Sequence, residues 1–259
     1  MHAAKQNNIK LSIIIPAYNE EMNIVPTLDD LLETLKKENI PFEIIVVNDN
    51  CMDNTRQLVE KKQIKAPEIV LINRTPPRGF GRAIRSGLNK AQGEIIIPFM
   101  ADLSDDSNDV IRYYKKIKEG YDCVFGSRFI EGSNISGYPK LKFVINRFVN
   151  RMLQVMFFTA HNDLTNSFKA YRSQVIKDIM PLQACHFNIT IELSLSVLIR
   201  KYKTASIPIN WNGRTWGSSN LKLKEMGRRY LATLLKIWFE RMLIIDDLMA
   251  EKNKISKTH

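Results

Sequence analysis

The sequence is poor in the residues that build disulfide frameworks and metal clusters. Its 259 residues include three cysteines and four histidines. Cys51, Cys123 and Cys185 lie far apart, so no pair has the spacing of metal ligands and no even-numbered set of disulfides is suggested. We therefore expect free thiols and a reducing, cytoplasmic setting.

Long apolar runs are also missing. The opening residues, MHAAKQNNIK, lack the apolar core of a signal peptide, and charges never thin out for the roughly 18 residues that a membrane span needs. We expect a protein that is soluble or bound to a membrane surface. With 44% hydrophobic residues, the chain is long enough to bury a large core and to fold as one large domain.

Two nucleotide-binding signatures are absent. A dinucleotide-binding fold carries G-x-G-x-x-G directly after its first strand, whereas Pro16–Glu21 (PAYNEE) stands there without a glycine. Gly79–Gly87 (GFGRAIRSG) is rich in glycine but does not follow a strand directly, and no Walker A lysine is present. These absences argue against hydride transfer and P-loop chemistry.

Positive charge is in excess, with a net charge of +11. Such an excess suits nucleic acid, an anionic membrane surface or a polyanionic small substrate. The basic residues are spread over helical stretches, and no basic run with interleaved aromatics occurs, which argues against nucleic acid as a partner. Solvated helix faces account for most of these charges.

Short apolar runs alternate with amphipathic stretches through the first half of the chain. Repeated βα units with continuous apolar strands predict an α/β fold with a parallel sheet buried on both faces. The predicted strands are Leu11–Tyr18, Phe42–Asp49, Glu68–Asn73, Glu94–Met100 and Asp122–Ser127. The predicted helices are Glu20–Lys37, Asp53–Lys62, Arg82–Ala91 and Ser107–Lys118.

Three polar loops follow predicted strands, at the edge where such sheets bind ligands. They are Pro16–Glu21, Asn48–Asp53 and Met100–Asp106. Two of them are acidic in a basic protein, which favours a ligand site. Helix capping is the other interpretation, above all for Asp53 and Asp106.

Several motifs occur in an order that one family shares. They are SIIIPAYNEEMNI (12–24), VVNDNCMDNT (46–55), the segment from GFGRAIRSG to MADLSDD (79–106), and DLTNSFKAYR (163–172). Together they resemble the family 2 glycosyltransferases, and most closely the dolichyl- and polyprenyl-phosphate sugar transferases such as the mannosyltransferases. The resemblance runs from about Leu11 to Leu221.

The resemblance implies a GT-A fold, a Rossmann-like and mostly parallel central sheet flanked by helices, over residues 1–220. A C-terminal amphipathic helix and tail would follow at 221–259. It also implies transfer of a sugar with inversion from a nucleotide-diphosphate sugar, GDP-mannose or a UDP-sugar. The diphosphate must leave with its charge neutralised, which Mg²⁺ or Mn²⁺ can do with only one or two protein carboxylates.

By resemblance, Asp102 is the catalytic metal ligand, and Ser104 stands where some relatives place another ligand. The sequence departs from the usual Asp-x-Asp motif because Met100 replaces the first carboxylate. We expect weaker or reshaped metal binding, which Ser104, Asp105, diphosphate oxygens and water can complete. A sugar-nucleotide-binding protein without turnover is the alternative.

Six residues are expected to line the nucleotide pocket: Pro16, Tyr18, Glu20, Asn48, Asp49 and Ala101. Asn48 replaces an aspartate of the family motif, and an amide can still meet a nucleobase edge. Tyr18 can equally be a half-buried aromatic at a strand end.

Three arginines are expected to bind phosphate, because a guanidinium fork matches phosphate geometry. They are Arg82, Arg128 and Arg214, each near a predicted strand end or resembling a family arginine. Surface salt bridges are the alternative for each one taken alone.

The acceptor decides whether a base is needed. A polyprenyl (dolichyl or undecaprenyl) phosphate arrives ionised, whereas a hydroxyl of a surface polysaccharide or lipopolysaccharide precursor needs a carboxylate base, for which Asp163 and Glu192 are candidates. By resemblance, Asp163 and Asn166 instead order the acceptor pocket. Glu192 can equally pair with a buried arginine.

Two basic, apolar helical stretches point to a membrane surface. They are residues 140–158 (KLKFVINRFVNRMLQVMFF) and 227–249 (GRRYLATLLKIWFERMLIIDDLM). Each can pack on the domain or lie in a bilayer interface, where neighbouring lysines and arginines attract anionic lipid. We expect peripheral attachment at the cytoplasmic face of the membrane. A glycolipid acceptor, a small membrane-anchoring subunit and a second copy of the chain are further expected partners.

Overall fold

The structure is a computed structural model that describes residues 9–213 and 227–242. Its centre is a seven-stranded sheet with the strand order β3-β2-β1-β4-β7-β5-β8. The strands are β1 (Leu11–Ala17), β2 (Phe42–Asn48), β3 (Ile69–Asn73), β4 (Ile95–Pro98), β5 (Cys123–Ser127), β7 (Lys169–Arg172) and β8 (Thr204–Pro208). A separate two-stranded ribbon pairs β6 (Asn134–Ser136) with β9 (Asn210–Asn212).

Helices flank the sheet. They are α1 (Ile24–Lys37), α2 (Thr55–Lys65), α3 (Phe80–Lys90), α4 (Ser107–Lys118), α5 (Lys140–Phe157), α6 (Ser173–Ile179) and α7 (Ile189–Ile199). A further helix, α8, covers residues 227–242. Within the described residues, no helix combines the length and apolarity needed to cross a membrane. Residues 221–226 and 243–259 of the expected C-terminal segment lie outside the described part.

The sheet is mostly parallel, as the sequence predicts. Strands β1 to β4 pair in parallel, and so do β5 and β8. Strand β7 is the exception, because it runs antiparallel to both β4 and β5. Its four residues include two charged ones, so the search for apolar runs missed it.

The continuous apolar strands fill two cores. Ile13 and Ile15 of β1 belong to the core under α1 and α4, whereas Ile14 belongs to the core under α3 and α7. Successive side chains of a strand point to opposite faces, so a strand covered on both faces needs apolar residues at every position. The amphipathic helices supply the covering faces.

Helix capping explains part of the acidity in the polar loops. The Asp106 carboxylate accepts a hydrogen bond from the Asn108 amide and caps α4. Asp53 accepts from the Thr55 amide at the start of α2, and its other oxygen accepts from the Glu21 amide at 3.0 Å. Asp106 therefore caps α4. Asp53 precedes the N-cap residue of α2, Asn54; its carboxylate binds the first amide of that helix and ties the loops after β1 and β2 together.

Candidate active site at the carboxyl edge of the sheet

Three polar loops converge beyond neighbouring strands. The Asp49 amide, just after β2, donates to the Ala17 carbonyl at the end of β1 at 2.9 Å. The Phe99 amide, just after β4, donates to Ile14 of β1 at 2.9 Å. Because β4 and β2 flank β1, the segments carrying Tyr18, Asn48 and Asp102 leave the sheet side by side.

Asp49 anchors a loop that the sequence did not single out. Its buried carboxylate pairs with the Arg74 guanidinium and accepts from the Gly79 amide at 2.6 Å. Arg74 also donates through Nε to Ser86 Oγ at 3.1 Å, which ties the loop to α3. Asp49 and Arg74 thus form one charge-balanced pair at the floor of the expected base pocket.

Two more residues that are expected to line the nucleotide pocket, Asn48 and Tyr18, are held by contacts of the neighbouring loops. Asn48 donates to Asn73 Oδ1 at 2.8 Å and accepts from the Cys51 amide at 2.9 Å, so its amide group orders the loop. The Arg78 guanidinium carbon lies 4.4 Å from the centroid of the half-buried Tyr18 ring. Sequence reasoning missed Arg74 and Arg78, although both stand in NRTPPR just beyond the carboxyl end of β3.

Glu20, Pro16 and Ala101 lie at the same edge. Buried Glu20 accepts from the Asn23 side chain at 2.7 Å, and its amide donates to Thr55 Oγ1 at 2.8 Å. The Ala101 carbonyl accepts from Thr27 of α1 at 3.1 Å. These contacts hold the first loop and the metal loop against α1.

The glycines at the start of α3 allow close packing. A Cβ atom at Gly79 would lie 2.3 Å from the Cys185 carbonyl oxygen, and one at Gly81 would lie 2.5 Å from that of Ala184. Arg82 of this segment donates through Nη1 to the Arg78 carbonyl at 3.0 Å. Arg82 therefore helps to close the Arg78 loop, and its phosphate role stays a prediction.

The expected metal loop supplies one carboxylate and one hydroxyl. Asp102 Oδ1 accepts from Ser104 Oγ at 2.5 Å and from the Ser104 amide at 3.2 Å. Among the described residues, no group of three or more His, Cys, Asp or Glu side chains is placed to hold a metal ion. A single carboxylate with a hydroxyl still fits Mg²⁺ or Mn²⁺, because substrate phosphates and water commonly complete the coordination of these ions.

Asp105 supports the same loop from inside. It is buried, and its Oδ2 accepts from the Met100 amide at 3.0 Å. Burial raises the pKa of Asp105 to about 8, and the nearby Asp102 carboxylate adds to the rise. Asp105 is therefore mostly protonated at neutral pH and supports the loop through its hydrogen bond rather than through a charge.

Arg128 and Asp163 form a buried, two-pronged ion pair. Arg128 donates through Nε and Nη2 to the two carboxylate oxygens of Asp163, both at 2.8 Å, and its amide donates to Oδ2 at 3.1 Å. Burial favours the neutral form of Arg128, but the Asp163 charge outweighs burial and the pKa of the guanidinium is raised. The Asp163 carboxylate thus accepts three hydrogen bonds, all from Arg128.

Aromatic rings surround Arg128. Its guanidinium carbon lies 5.3 Å from the centroid of Phe129, 5.4 Å from that of Tyr138 and 6.0 Å from that of Trp211. Phe143 of α5 meets Phe129 and Tyr138 at centroid distances of 5.6 and 6.1 Å. We call Phe129, Tyr138, Phe143 and Trp211 the aromatic cluster.

The aromatic cluster adjoins the metal loop. Trp211 forms an isolated β-bridge with Asp105, and the Asn212 amide donates to the Ser104 carbonyl at 3.0 Å. The ribbon strand β9 therefore joins the loop of Asp102 to the surroundings of Arg128. Arg214, predicted to bind phosphate, lies outside the described residues.

Helix α5 also carries an apolar surface. We call its exposed large hydrophobic side chains on one side of the helix the α5 apolar face: Leu141, Val144, Ile145, Phe148, Met152 and Val155. Helix α8 exposes Leu231, Leu235, Phe239 and Met242. Arg241 of α8 donates to the Met156 carbonyl of α5 at 3.1 Å, which joins the two helices.

Glu192 belongs to a different cluster. Its carboxylate accepts from the amides of Gln183 and Ala184 and pairs with Lys236 of α8 at 2.8 Å. It lines a cavity of about 210 Å³ together with Arg200 and other residues of α7 and α8. Its partner is therefore a lysine rather than the buried arginine that was one expectation. None of these contacts joins Glu192 to Asp102.

Asn166 and His161 have structural partners. Asn166 is buried and donates to the Gly126 carbonyl at 3.2 Å, which orders the loop after Asp163. The His161 ring contacts the hydroxyls of Ser206 and Thr204. Burial, together with the Lys169 charge, lowers the pKa of His161 to about 4, so this ring is neutral at neutral pH.

Comparison with known proteins identifies the class. In solved structures of glucosyl-3-phosphoglycerate synthase from Mycobacterium tuberculosis, one of them with Mn²⁺, UDP and glucosyl-3-phosphoglycerate, the same GT-A fold recurs with a TM-score of 0.67 and 19% sequence identity. That match covers 88% of this chain and 79% of the other. The family model described as "Glycosyl transferase family 2" matches residues 12–180, so the chain belongs to this family.

Two curated relatives lie nearer in sequence. A dolichol-phosphate mannosyltransferase from Pyrococcus furiosus is 28% identical over 234 residues, which make up 88% of this chain and 64% of the relative. A dolichyl-phosphate beta-glucosyltransferase from Trichomonas vaginalis is 28% identical over 232 residues, 85% of this chain and 68% of the relative. This chain therefore spans about two thirds of the length of either relative.

Proposed function

We propose that the chain is an inverting glycosyltransferase that moves a sugar from a nucleotide-diphosphate sugar to a polyprenyl phosphate at the cytoplasmic face of a membrane. The donor is GDP-mannose or a UDP-sugar, and the acceptor is a dolichyl or undecaprenyl phosphate. The observation that carries this proposal is the path from the buried Arg128 guanidinium through the aromatic cluster to α5, the helix that carries the α5 apolar face.

That path suits a ligand with a charged head and an apolar tail. Arg128 keeps its charge because Asp163 balances it, and a guanidinium binds phosphate oxygens well. Phe143 belongs to the aromatic cluster and stands on α5, the helix that carries the α5 apolar face. A phosphate beside Arg128 would therefore have the exposed part of Phe143 and the first turn of α5 next to its isoprenoid chain.

The donor would lie across the three loops of the carboxyl edge. Tyr18, Asn48 and Asp49 would face the base and ribose, and Asp102 and Ser104 would hold Mg²⁺ or Mn²⁺. Bound there, the cation would supply Lewis-acid stabilisation of the departing diphosphate. The relatives named as dolichyl-phosphate sugar transferases and the Mn²⁺–UDP structures of the distant neighbour support this assignment.

The chain's own residues would bring the acceptor to the sugar. Arg128 orients the phosphate so that one oxygen faces the anomeric carbon, and the aromatic cluster excludes water from the gap. The phosphate oxygen is already ionised, so attack requires no protein base. This fits Asp163 and Glu192, because both carboxylates are engaged by cations and amides.

The exposed helices would attach the protein to a bilayer. The α5 apolar face and the exposed leucines and phenylalanine of α8 lie on two helices joined by Arg241. Lysines and arginines along α5 add attraction to anionic lipid headgroups. Such attachment would place Arg128 near the depth of a lipid phosphate.

A donor screen tests the proposal. Purified protein is incubated with Mn²⁺, a short polyprenyl phosphate and each of several nucleotide sugars, and released nucleoside diphosphate is measured. We expect release with one donor that depends on the lipid phosphate and falls by about 100-fold in Asp102→Asn. Tight donor binding without release for any donor would instead indicate a non-catalytic sugar-nucleotide-binding protein. Release that requires a hydroxyl acceptor would indicate polysaccharide synthesis.

A further inference from the structure

A buried lysine stands behind the Arg128–Asp163 pair. Lys169, at the start of β7, is 0% exposed, and its side-chain amine donates to the carbonyls of Leu164, at 2.9 Å, and Asn166. Burial lowers the pKa of Lys169 to about 7. It forms no ion pair within the part of the chain that the structure describes. A charged amine without a contacting carboxylate is costly to bury, and the two carbonyls are the hydrogen-bond acceptors that offset part of this cost.

The two carbonyls belong to the loop that presents Asp163. The other polar groups of this loop are held from α5: Asn150 Oδ1 accepts from the Leu164 amide at 2.7 Å, and Asn146 donates to Thr165 Oγ1 at 2.8 Å. Asn150 and Asn146 thus hold the outer side of the loop. Lys169 holds its inner side by collecting the two carbonyls that point toward the sheet.

The loop conformation decides where Arg128 points. Asp163 immediately precedes Leu164, whose carbonyl Lys169 fixes, and both Asp163 oxygens bind Arg128. Removing the amine would take its donor from the Asn166 carbonyl and leave the Leu164 carbonyl with Ser194 Oγ, at 3.2 Å. The loop would have to rearrange to satisfy the Asn166 carbonyl. Any such rearrangement moves the Asp163 carboxylate and with it the guanidinium.

We propose that Lys169 is a positioning residue for acceptor binding, acting through the 163–166 loop and Asp163 to aim the Arg128 guanidinium at the acceptor phosphate. The role of Arg128 as the phosphate-binding group rests on the proposed function. The coupling between Lys169 and the Arg128–Asp163 pair rests on the hydrogen bonds alone, so the two parts can be tested separately.

Hydrogen–deuterium exchange tests the coupling without any substrate. In Lys169→Met, a substitution of similar length that removes the donors, we expect the amides of Arg128 and Leu164 to exchange about tenfold faster or more. The matched control is Val175→Ala in α6, a buried apolar truncation that removes no hydrogen-bond donor from this loop. If Lys169→Met exchanges at these amides no faster than Val175→Ala does, the positioning role is wrong.

Steady-state kinetics tests the consequence for the acceptor. We expect Lys169→Met to raise KM for a short polyprenyl phosphate by about tenfold or more while KM for the sugar nucleotide changes by less than about twofold, since positioning errors act where the misplaced group binds. A residue that only stabilises the fold would leave the ratio of the two KM values unchanged, as Val175→Ala should.

A double-mutant cycle separates positioning from general damage. If Lys169 acts through Arg128, adding Lys169→Met to Arg128→Ala should raise KM for the acceptor by less than about twofold further. Full additivity would overturn the proposal. If the wild-type protein transfers nothing to the polyprenyl phosphate, the proposed function fails, and the exchange experiment alone then decides whether Lys169 positions Arg128.

Discussion

A variant without the Asp163 charge should unfold at a markedly lower denaturant concentration than the wild type, because the Arg128–Asp163 pair is buried. The two side chains are 8% and 1% exposed and meet at 2.8 Å. In Asp163→Asn, Arg128 keeps its charge but loses its counter-charge, and buried Lys169 loses the nearest negative charge that favours its protonated form. Breaking a buried pair by removing one partner costs about 3–5 kcal/mol.

That cost is a large fraction of a typical stability of about 5–15 kcal/mol. The loss of stability is measured by urea unfolding at neutral pH, followed by circular dichroism. The dependence of the free energy of unfolding on urea concentration should stay unchanged, so that the shift in the midpoint reports the change in stability. We expect Asp163→Asn to lose about 3 kcal/mol or more.

The matched control is Glu60→Gln on α2. Glu60 pairs with Arg56 at 2.7 Å, almost the same distance, but the two side chains are 42% and 54% exposed. An exposed helical pair of this spacing contributes about 0.3–0.5 kcal/mol. If Asp163→Asn and Glu60→Gln cost the same, burial does not set the energetics of the Arg128 pair, and the reasoning from its geometry is refuted.

Three further predictions concern metal, pH and membrane. Met100→Asp should tighten Mn²⁺ binding in the presence of a nucleoside diphosphate by about an order of magnitude, since it adds a charged ligand; titration calorimetry checks this, and unchanged affinity would place the ion away from residue 100. In the folded protein the pKa of His161 is lowered to about 4. The contribution of this group to stability is therefore complete above the pKa it has in the unfolded chain, about 6.5, and is lost as the pH falls from there toward 4. Protonation of this ring should therefore lower the free energy of unfolding of the wild type by about 2 kcal/mol between pH 7 and pH 5, and His161→Gln should remove that part of the pH dependence. Thermal unfolding at several pH values measures this, and equal pH profiles for wild type and variant would contradict it. Leu141→Ser combined with Phe148→Ser should weaken co-sedimentation with anionic vesicles by about tenfold or more, whereas Ile64→Ser, at an exposed apolar site on α2, should not; equal losses would remove α5 from the membrane contact.

Sequence patterns predicted the first half of the fold well because hydrophobicity and topology agree there. Strands β1 and β2 are buried on both faces, so an unbroken apolar run is their unavoidable signature. Helix α4 was predicted over Ser107–Lys118 and occupies those residues, because Asp106 provides a cap that can be read from the sequence. Strand β7 was missed because its buried first residue is Lys169.

The positions of the candidate site residues were predictable where strand ends mark them. Asp102 and Asp49 follow strands and Asn48 ends one, so the sequence placed them at one edge of the sheet. Partners distant in sequence could not be foreseen: the Asp49–Arg74 pair spans 25 residues, and the Arg128–Asp163 pair spans 35. Such pairs depend on how loops pack, which no local pattern encodes.

The nature of the attacking oxygen, phosphate or hydroxyl, separates the two classes of acceptor. The protein is given its preferred sugar nucleotide with either a short polyprenyl phosphate or the polyprenol of the same chain length, and the products are analysed by mass spectrometry. The account predicts that the phosphate is glycosylated and that the polyprenol is left unchanged. Glycosylation of the polyprenol at a comparable rate, or of neither lipid while a sugar hydroxyl is glycosylated, would contradict it.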